Sequence, residues 1–290
     1  MIGQGGLEEN SNFRGKETLR VTIAGKSNAM HDTKSIQSLA RGLSILELVA
    51  GSSQPATLTE IAKQAGLTKT TSQRFLNTLC SLGYLRRRNN KSYILNTRVL
   101  SLAYSFLNTS SLVRLAKPYL DELSSELGKT VNLAVLEDVH TLFLYRKEVR
   151  RFMTFDLGPG SKLPSYAGSL GKVLLAGLSH EEFDKRIDKI EFHPITPKTI
   201  LSKKRLKEEI IETRERGYGI CDQELSLDMY SIAAPVIDKQ GEVVAAINVS
   251  MEFHFKGSPD LESTIKKVIE KGRVISGNLG YNGPYPNYPR

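Results

Sequence analysis

The sequence contains no apolar stretch long enough to cross a membrane. A spanning helix needs about 20 mostly apolar residues, and the 290 residues include no such run. The N-terminal segment also lacks the apolar block of a secretory signal. Cysteine is scarce, since Cys80 and Cys221 stand alone and far apart. Because no disulfide framework can form, we expect a reducing cytoplasmic setting and no membrane partner.

Motifs for metals and cofactors are missing too. The spacings of Cys, His, Asp and Glu match no zinc site, no HExxH helix and no EF-hand loop. Gly171-Lys172 is not part of a phosphate-binding loop. Tyr166 stands where that loop requires glycine, and Val173 stands where it requires Ser or Thr. We therefore expect no metal and no cofactor.

Positive charge is in excess and unevenly distributed. The formal net charge is +9. Residues 33–95 carry nine Lys or Arg against two acidic residues, whereas residues 1–32 are balanced and residues 96–290 carry 27 basic against 25 acidic residues. A compact cationic segment predicts a polyanionic partner such as double-stranded DNA. A solvated basic face is the simpler alternative.

Length and pattern divide the chain into two domains with flanking segments. Residues 1–32 show no periodicity and are expected to form a disordered N-terminal arm, in which Ser27-Asn28-Ala29-Met30 is either a cloning scar or a chance match. The remainder is predicted to comprise a DNA-binding domain, a linker helix, a larger second domain and an irregular tail, at residues 33–95, 96–110, 111–277 and 278–290.

Three helices and a hairpin are predicted in the cationic domain. Apolar residues at three- and four-residue spacings predict a first helix over Ile36–Ala50. Thr59 and Thr68 are expected to cap a second helix and a third helix. Two short strands within 84–95 enclose a polar, cationic tip. Two helices joined by a short glycine-containing turn and followed by a basic hairpin predict a winged helix-turn-helix.

The third helix is expected to read DNA. Its apolar positions hold it to the core, and no acidic residue lies between Thr68 and Leu82. Short polar and cationic side chains on its other side can reach base edges and phosphates. The wing arginines and Lys91 can neutralise phosphates or reach the minor groove. The predicted DNA contacts are Lys69, Thr70, Thr71, Gln73, Arg74, Asn77, Arg86, Arg87, Arg88 and Lys91. A protein-interaction domain is the alternative.

The remainder of the chain mixes helices and strands, which predicts an α+β fold. A linker helix is expected over Val99–Leu107 and a longer helix over Leu112–Leu127. The predicted strands are Val131–Leu136, Thr141–Tyr145, Arg151–Leu157, Ser231–Ile237 and Val243–Met251. The further predicted helices are Leu170–Leu178, Glu181–Ile187, Ser202–Arg216 and Leu261–Ile275.

A second site is indicated where residues 167–172 precede an apolar helix. Backbone N–H groups and the helix dipole could hold a carboxylate there. Asn248 and Ser250 share one face of a predicted strand, and Ser231 lies on another strand. Polar side chains inside apolar strands need partners. A small polar ligand could supply those partners, and so could the backbone.

Two other functions remain open on these residues. Ala167-Gly168-Ser169-Leu170-Gly171 differs by one residue from the GxSxG motif of esterase-type hydrolases, with Ser169 as nucleophile. That motif needs a strand immediately before the serine, and Lys162-Leu163-Pro164-Ser165 is a poor strand. His193 and His254 have no acid partner by motif. The third possibility is a non-specific nucleic-acid-binding protein, which the charge alone would also fit.

Ordered motifs in both halves resemble those of IclR-type transcriptional regulators over residues 33–277. The stretches that carry the resemblance are IQSLARGLSILE at 36–47, LTEIA at 58–62, GLTKTT at 66–71, LGYL at 82–85, GSKLPSYAGSLGK at 160–172, RGYG at 216–219, AAPV at 233–236 and AAINVS at 245–250. The resemblance implies a winged helix-turn-helix joined by a linker helix to a GAF-like effector-binding domain.

The resemblance further implies a sequence-specific regulator, expected to be a repressor. Its partners would be a pseudo-palindromic operator, a second or further copies of itself (a homodimer or a dimer of dimers) and a small carboxylate effector. The matching effector positions are Ser169, Leu170, Cys221, Asp222, Ser231, Asn248 and Ser250. Cys221 departs from the family, which commonly has an acidic residue there, and a redox-sensitive thiol is an alternative role for it. Asn248 stands where a small hydroxyl is common.

Overall fold

The computed structural model describes residues 36–89, 91–149 and 156–289. The predicted N-terminal arm, with its 27–30 motif, lies outside these residues, as do residues 33–35. In the first domain, β3 pairs antiparallel with both β1 and β2. The elements are α1 (Gln37–Ala50), β1 (Ala56–Thr57), α2 (Leu58–Ala65), α3 (Lys69–Ser81), β2 (Leu85–Arg88) and β3 (Ser92–Leu95). This arrangement is the winged helix-turn-helix that the sequence predicts.

Local capping positions α2 and α3. The Thr57 hydroxyl accepts from the Glu60 amide, and the Glu60 carboxylate accepts from the Thr57 amide. The prediction of Thr59 as the cap is therefore wrong. A capping box needs Glu or Gln three residues after the cap, and only Thr57 meets that spacing. Gly66 ends α2 with a φ of +64°, and Thr68 caps α3 as predicted.

Two helices connect the domains. The predicted linker helix is observed as α4 (Arg98–Thr109), which has no buried residue, and α5 (Ser111–Leu127) follows it. The Ser110 hydroxyl accepts from the Val113 amide and so starts α5. Arg98 donates to the Leu82 carbonyl oxygen at 2.5 Å, and its guanidinium lies 5.0 Å from the centre of the Tyr84 ring. The start of α4 is thus attached to the DNA-binding domain.

The second domain is built on a six-stranded antiparallel sheet with the order β6-β5-β4-β9-β8-β7. Its strands are β4 (Thr130–Glu137), β5 (His140–Lys147), β6 (Lys162–Pro164), β7 (Gly219–Asp222), β8 (Met229–Ile237) and β9 (Val243–Glu252). Helices cover both faces, so the central strands are buried on each side. Together with the winged helix, this domain confirms the predicted α+β class.

Each face of the sheet has its own apolar core. Leu133 and Ile247 point to the core shared with α5 and with α9 (Asp260–Asn278). Ala134 and Ala246, one residue away, point to the opposite core, as the period of two in a strand requires. The helices of that side are α6 (Ser169–Ala176), α7 (His180–Ile187) and α8 (Lys203–Arg216).

Two segments differ from the prediction, and the tail agrees with it. Most of the expected strand Arg151–Leu157 lies outside the described residues, and Asp156 and Leu157 are not in a strand. Lys162–Pro164, expected to be a poor strand, forms β6 at the sheet edge, where a proline is tolerated because one side of the strand needs no partner. The tail that begins after α9 is irregular as predicted, yet its Tyr288 is 9% exposed.

Candidate DNA interface and effector cavity

The wing and one side of α3 carry the predicted DNA-contacting residues. On α3, Thr71 and Gln73 are half-buried, and the other four predicted contacts are exposed: Lys69, Thr70, Arg74 and Asn77. All four predicted wing residues are exposed: Arg86, Arg87, Arg88 and Lys91. The first turn of α3 contains no acidic residue, so the positive end of its dipole adds to the attraction for phosphate.

A hydrogen-bond network joins the helix to the wing. The Asn77 side-chain oxygen accepts from Arg87 Nη2 at 2.6 Å and from Gln73 Nε2 at 2.9 Å. Gln73 also donates to the Tyr93 hydroxyl on β3. The side chains of these residues are therefore ordered before DNA arrives, which lowers the entropy lost on binding. Thr71 is also engaged, because its hydroxyl accepts from Thr68.

A narrow cavity lies between the sheet and the start of α6. Its apolar walls include Phe143 and Leu225. The space at its centre is about 20 Å³, which is room for about one water molecule. The lining residues are Asn132, Thr141, Phe143, Arg146, Leu157, Leu163, Pro164, Gly168, Ser169, Leu170, Gly171, Leu225, Met229, Ser231, Asn248 and Ser250. An organic acid would have to displace part of this lining to enter.

Five of the seven predicted effector residues meet in this cavity: Ser169, Leu170, Ser231, Asn248 and Ser250. The hydroxyl oxygens of Ser169 and Ser231 are 2.7 Å apart. Asn248 Nδ2 lies 3.4 Å from the Ser169 oxygen and 3.5 Å from the Ser250 oxygen. These polar groups bond to one another rather than to strand backbone, so they form a polar patch that a ligand could enter.

The other two predicted effector residues lie outside the described cavity lining. Cys221 is fully buried, and its thiol donates to the Ala167 carbonyl oxygen at 3.4 Å. Burial raises the pKa of this thiol to about 12, which leaves no thiolate for redox chemistry at neutral pH. Asp222 pairs with Lys256 at 2.5 Å. Cys221 thus packs behind the start of α6, directly opposite Ser231 in the register of the sheet.

Sequence reasoning missed three polar residues of the cavity. Asn132 Nδ2 donates to Asn248 Oδ1 at 2.7 Å, and Arg146 Nη1 donates to Asn132 Oδ1 at 2.9 Å. The buried hydroxyl of Thr141 has no hydrogen-bond partner in the described chain. The available signal was a polar residue between Val131 and Leu133 in an apolar strand, which is the pattern that drew attention to Asn248.

An ionic cluster lies beneath α6. Lys172 is buried and donates to Glu224 Oε1 at 2.7 Å and to the Ile220 carbonyl oxygen at 2.8 Å. Glu209 lies 3.4 Å from the same ammonium group. Burial raises the pKa of Glu224 to about 7, although Lys172 acts in the opposite direction. This cluster ties α6 to the loop that carries Leu225 over the cavity.

The geometry around Ser169 lacks the parts of a hydrolase. Its hydroxyl meets another hydroxyl and an amide, and neither group is a general base. The side chains of His193 and His254 are exposed and lie beside Glu191 and Glu252. No group of metal-binding side chains occurs in residues 36–89, 91–149 and 156–289. The helices of those ranges include none that is long and apolar enough to span a membrane.

Two family matches cover most of the chain. Residues 38–89 match the IclR helix-turn-helix domain. Residues 104–277 match the family described as bacterial transcriptional regulator IclR C-terminal. Each match falls on one of the two domains that the structure shows, in the order that the sequence motifs predict.

Curated relatives and solved structures agree with these matches. The transcriptional repressor IclR of Escherichia coli K12 is 35% identical over 246 residues, which are 84% of this chain and 87% of the relative. The Pca regulon regulatory protein of Pseudomonas putida is 32% identical over 76% of this chain and 75% of the relative. A regulator from Rhodococcus sp. RHA1 superposes with a TM-score of 0.70 at 35% identity, covering 85% of this chain and 99% of its own.

One structural neighbour contains a ligand. This IclR homologue from Microbacterium hydrocarbonoxydans, in complex with 4-hydroxybenzoate, has a TM-score of 0.68 and 24% identity. The match covers 84% of this chain and 99% of that one. At this level of identity the likeness shows a shared fold.

Proposed function

The chain belongs to the IclR family of DNA-binding transcriptional regulators, and we propose that a small carboxylate effector changes its affinity for one operator. The relatives from Escherichia coli and Salmonella typhimurium are named repressors, so repression is the proposed direction. The proposed place of action is the bacterial cytoplasm, where the operator lies. The catalytic alternative has no supporting geometry at Ser169.

The observation that supports DNA recognition is the surface formed by α3 and the wing, which a hydrogen bond joins. The exposed side chains of Lys69, Arg74, Arg86, Arg88 and Lys91 are cationic and flank the ordered network at Asn77. Such a surface lets α3 enter the major groove while the wing contacts phosphates. Short polar groups on α3 provide donors and acceptors for base edges, which a purely electrostatic binder would not need.

The observation that carries effector binding is the cavity at the start of α6. Five of the predicted effector residues line it, and the structural neighbour holds a carboxylate ligand. A ligand shifts DNA affinity only if it binds two states of the regulator unequally. Since the cavity has room for about one water, the ligand favours a state in which α6 and the sheet lie further apart.

Exposed apolar side chains support the proposed homodimer. Leu100 and Tyr104 on α4 are each 68% exposed, and Leu39 on α1 is 59% exposed. Further exposed apolar residues on these helices are Ile36, Leu43, Leu102 and Phe106. Exposed apolar surface of this extent is typical of an interface. We assign it to a second copy of the chain, because a two-fold dimer places two α3 helices on a pseudo-palindromic site.

An electrophoretic mobility-shift assay tests the proposal. The probe is the DNA flanking the coding region, with unrelated duplex as competitor and a panel of small organic acids added in turn. We expect a shift that resists competitor, weakens steeply with salt, and changes with at least one acid. Ser250→Ala should blunt the response to that acid and leave the shift without acid unchanged.

Three results would contradict the proposal. Equal competition by unrelated duplex would identify a non-specific binder. A mobility shift that no acid alters would contradict regulation by a carboxylate effector. Turnover of an ester substrate that is lost in Ser169→Ala would instead favour the hydrolase.

A further inference from the structure

Arg146 is a buried cation that lines the effector cavity. Its side chain is 7% exposed, and it is the one ionisable residue of the described cavity lining. Burying a guanidinium is costly unless anions and acceptors surround it. Glu148, the anion that pairs with it at 2.6 Å, has a side chain that is 44% exposed. The electrostatic compensation for Arg146 therefore comes from one side and is screened by water.

The hydrogen bonds of Arg146 are incomplete. Nη1 donates to Asn132 and Nη2 donates to Glu148, whereas the buried Nε has no partner in the described chain. The Thr141 hydroxyl, which lines the same cavity, is also buried without a partner. Buried polar atoms are almost always hydrogen-bonded in folded proteins. Two such atoms in one cavity indicate a site for a group that accepts hydrogen bonds.

The side-chain amides of the cavity form a directional chain of hydrogen bonds that starts at Arg146. Arg146 can only donate, so the Asn132 atom that it meets is the oxygen. The Asn132 nitrogen then donates to the Asn248 oxygen, and the Asn248 nitrogen faces the hydroxyl of Ser169. Arg146, Asn132 and Asn248 are direct partners in the register of β5, β4 and β9. A polar chain thus connects the guanidinium to the first residue of α6.

From this arrangement we infer that Arg146 binds the carboxylate of the effector and is the residue that makes the site select acids. The inference rests on the proposed function, and it places the acid group at the β5 side of the cavity. The serine hydroxyls at α6 then face the other end of the ligand. Glu148 competes for the same guanidinium, so it weakens acid binding.

Binding measurements on the full chain without DNA test the inference. The probes are monocarboxylic acids from acetate to 4-hydroxybenzoate, each paired with its primary amide, which has similar shape and no charge. The wild-type protein is expected to prefer at least one acid over its amide. Arg146→Gln should weaken binding of that acid by about tenfold to a hundredfold, with little effect on the amide. Arg146→Lys should keep part of the preference.

Two further variants complete the test. One should strengthen acid binding, and the other is a control that should leave the preference for acid unchanged. Glu148→Gln should strengthen acid binding by at most about fivefold, because the competing carboxylate is partly exposed. Lys147→Gln removes a positive charge from the next residue of the same strand, whose ammonium group binds at Asp121 and Ser125 instead. It should leave the preference for acid unchanged.

Several outcomes overturn the inference. Wild-type protein that prefers no acid over its amide would show that the cavity does not select carboxylates. If Arg146→Gln binds acid as tightly as wild type, or loses acid and amide equally, Arg146 is not the residue that selects acids. The proposed function is tested separately, by the effect of acids on the mobility shift of the operator.

Discussion

Arg87 on the wing donates to the side-chain oxygen of Asn77 on α3 at 2.6 Å. The guanidinium also lies 5.8 Å from the centre of the Tyr93 ring, its cross-strand partner. The wing arginines therefore differ in role, because Arg87 and Arg88 are both exposed but Arg87 is hydrogen-bonded to the helix. Both positions were predicted as contacts to phosphates or the minor groove.

Substituting these two arginines should separate the effect of the Arg87–Asn77 hydrogen bond on stability from the effect of positive charge on DNA binding. We expect Arg87→Ala to lower the free energy of unfolding by about 1 kcal/mol, the usual loss for one such hydrogen bond. Arg88→Ala, the matched control, should leave it within about 0.5 kcal/mol. Both variants should weaken DNA binding. Thermal unfolding and mobility shift measure the two effects, and equal melting temperatures for both variants would contradict the role of Asn77.

Arg74 is exposed on α3 and is expected to contact DNA. Arg74→Ala should weaken operator binding by about tenfold to a hundredfold. The salt dependence of log K should fall by about one unit if its contact is a phosphate. Lys204→Ala, an exposed charge loss on α8, serves as control. Unchanged affinity and salt slope in Arg74→Ala would show that this side of α3 does not face DNA.

The apolar surface of α4 should be needed for dimerisation. The double variant Leu100→Ser/Tyr104→Ser changes two side chains that are exposed in the single chain. The fold should therefore persist while the dimer dissociates. Sedimentation should show the monomer, and affinity for a full operator should fall far more than affinity for a half-site. Leu201→Ser, an exposed apolar change in the second domain, should remain dimeric. A dimeric α4 variant would place the interface elsewhere.

The pKa of Glu224 predicts how stability changes with pH. Burial raises this pKa from 4.5 in the unfolded chain to about 7, so the folded state binds the proton more tightly. Its contribution to stability is present below about pH 4.5 and is lost as the pH rises through about 7. Denaturant unfolding across this range should show the decrease. Glu224→Gln should reduce the slope, and the exposed control Glu215→Gln should not.

Period-two reasoning located Asn248 and Ser250 because β9 is regular where they lie. The same reasoning could not have placed Arg146, which lies beyond the predicted strand Thr141–Tyr145 and in a strand, β5, that contains a bulge. Leu133 pairs with Tyr145 but Ala134 pairs with Phe143, so one residue of β5 is extra. Beyond a bulge the alternation of faces is reversed. Thr141 and Phe143 therefore share the cavity side with Arg146, which simple alternation assigns to the opposite face.

Other features could be predicted from the sequence to different degrees. The α3 helix, its cap at Thr68 and the wing followed from local signals, which suffice when the pattern is strong. The burial of Cys221 did not, because its contact at Ala167 joins residues 54 positions apart. Strand β7 carries only four residues and begins at Gly219, so it offered too short an apolar pattern to be recognised.

Gly171 on the cavity wall has no space for a side chain. A Cβ there would lie 2.1 Å from the Ser165 carbonyl oxygen and 2.5 Å from its Cα, and backbone atoms cannot move aside cheaply. Alanine or serine at this position would push the start of α6 away from β6 without removing any ligand contact. A genetic screen for alleles with an altered effector response would therefore recover changes at Gly171, where only the shape of the cavity is changed.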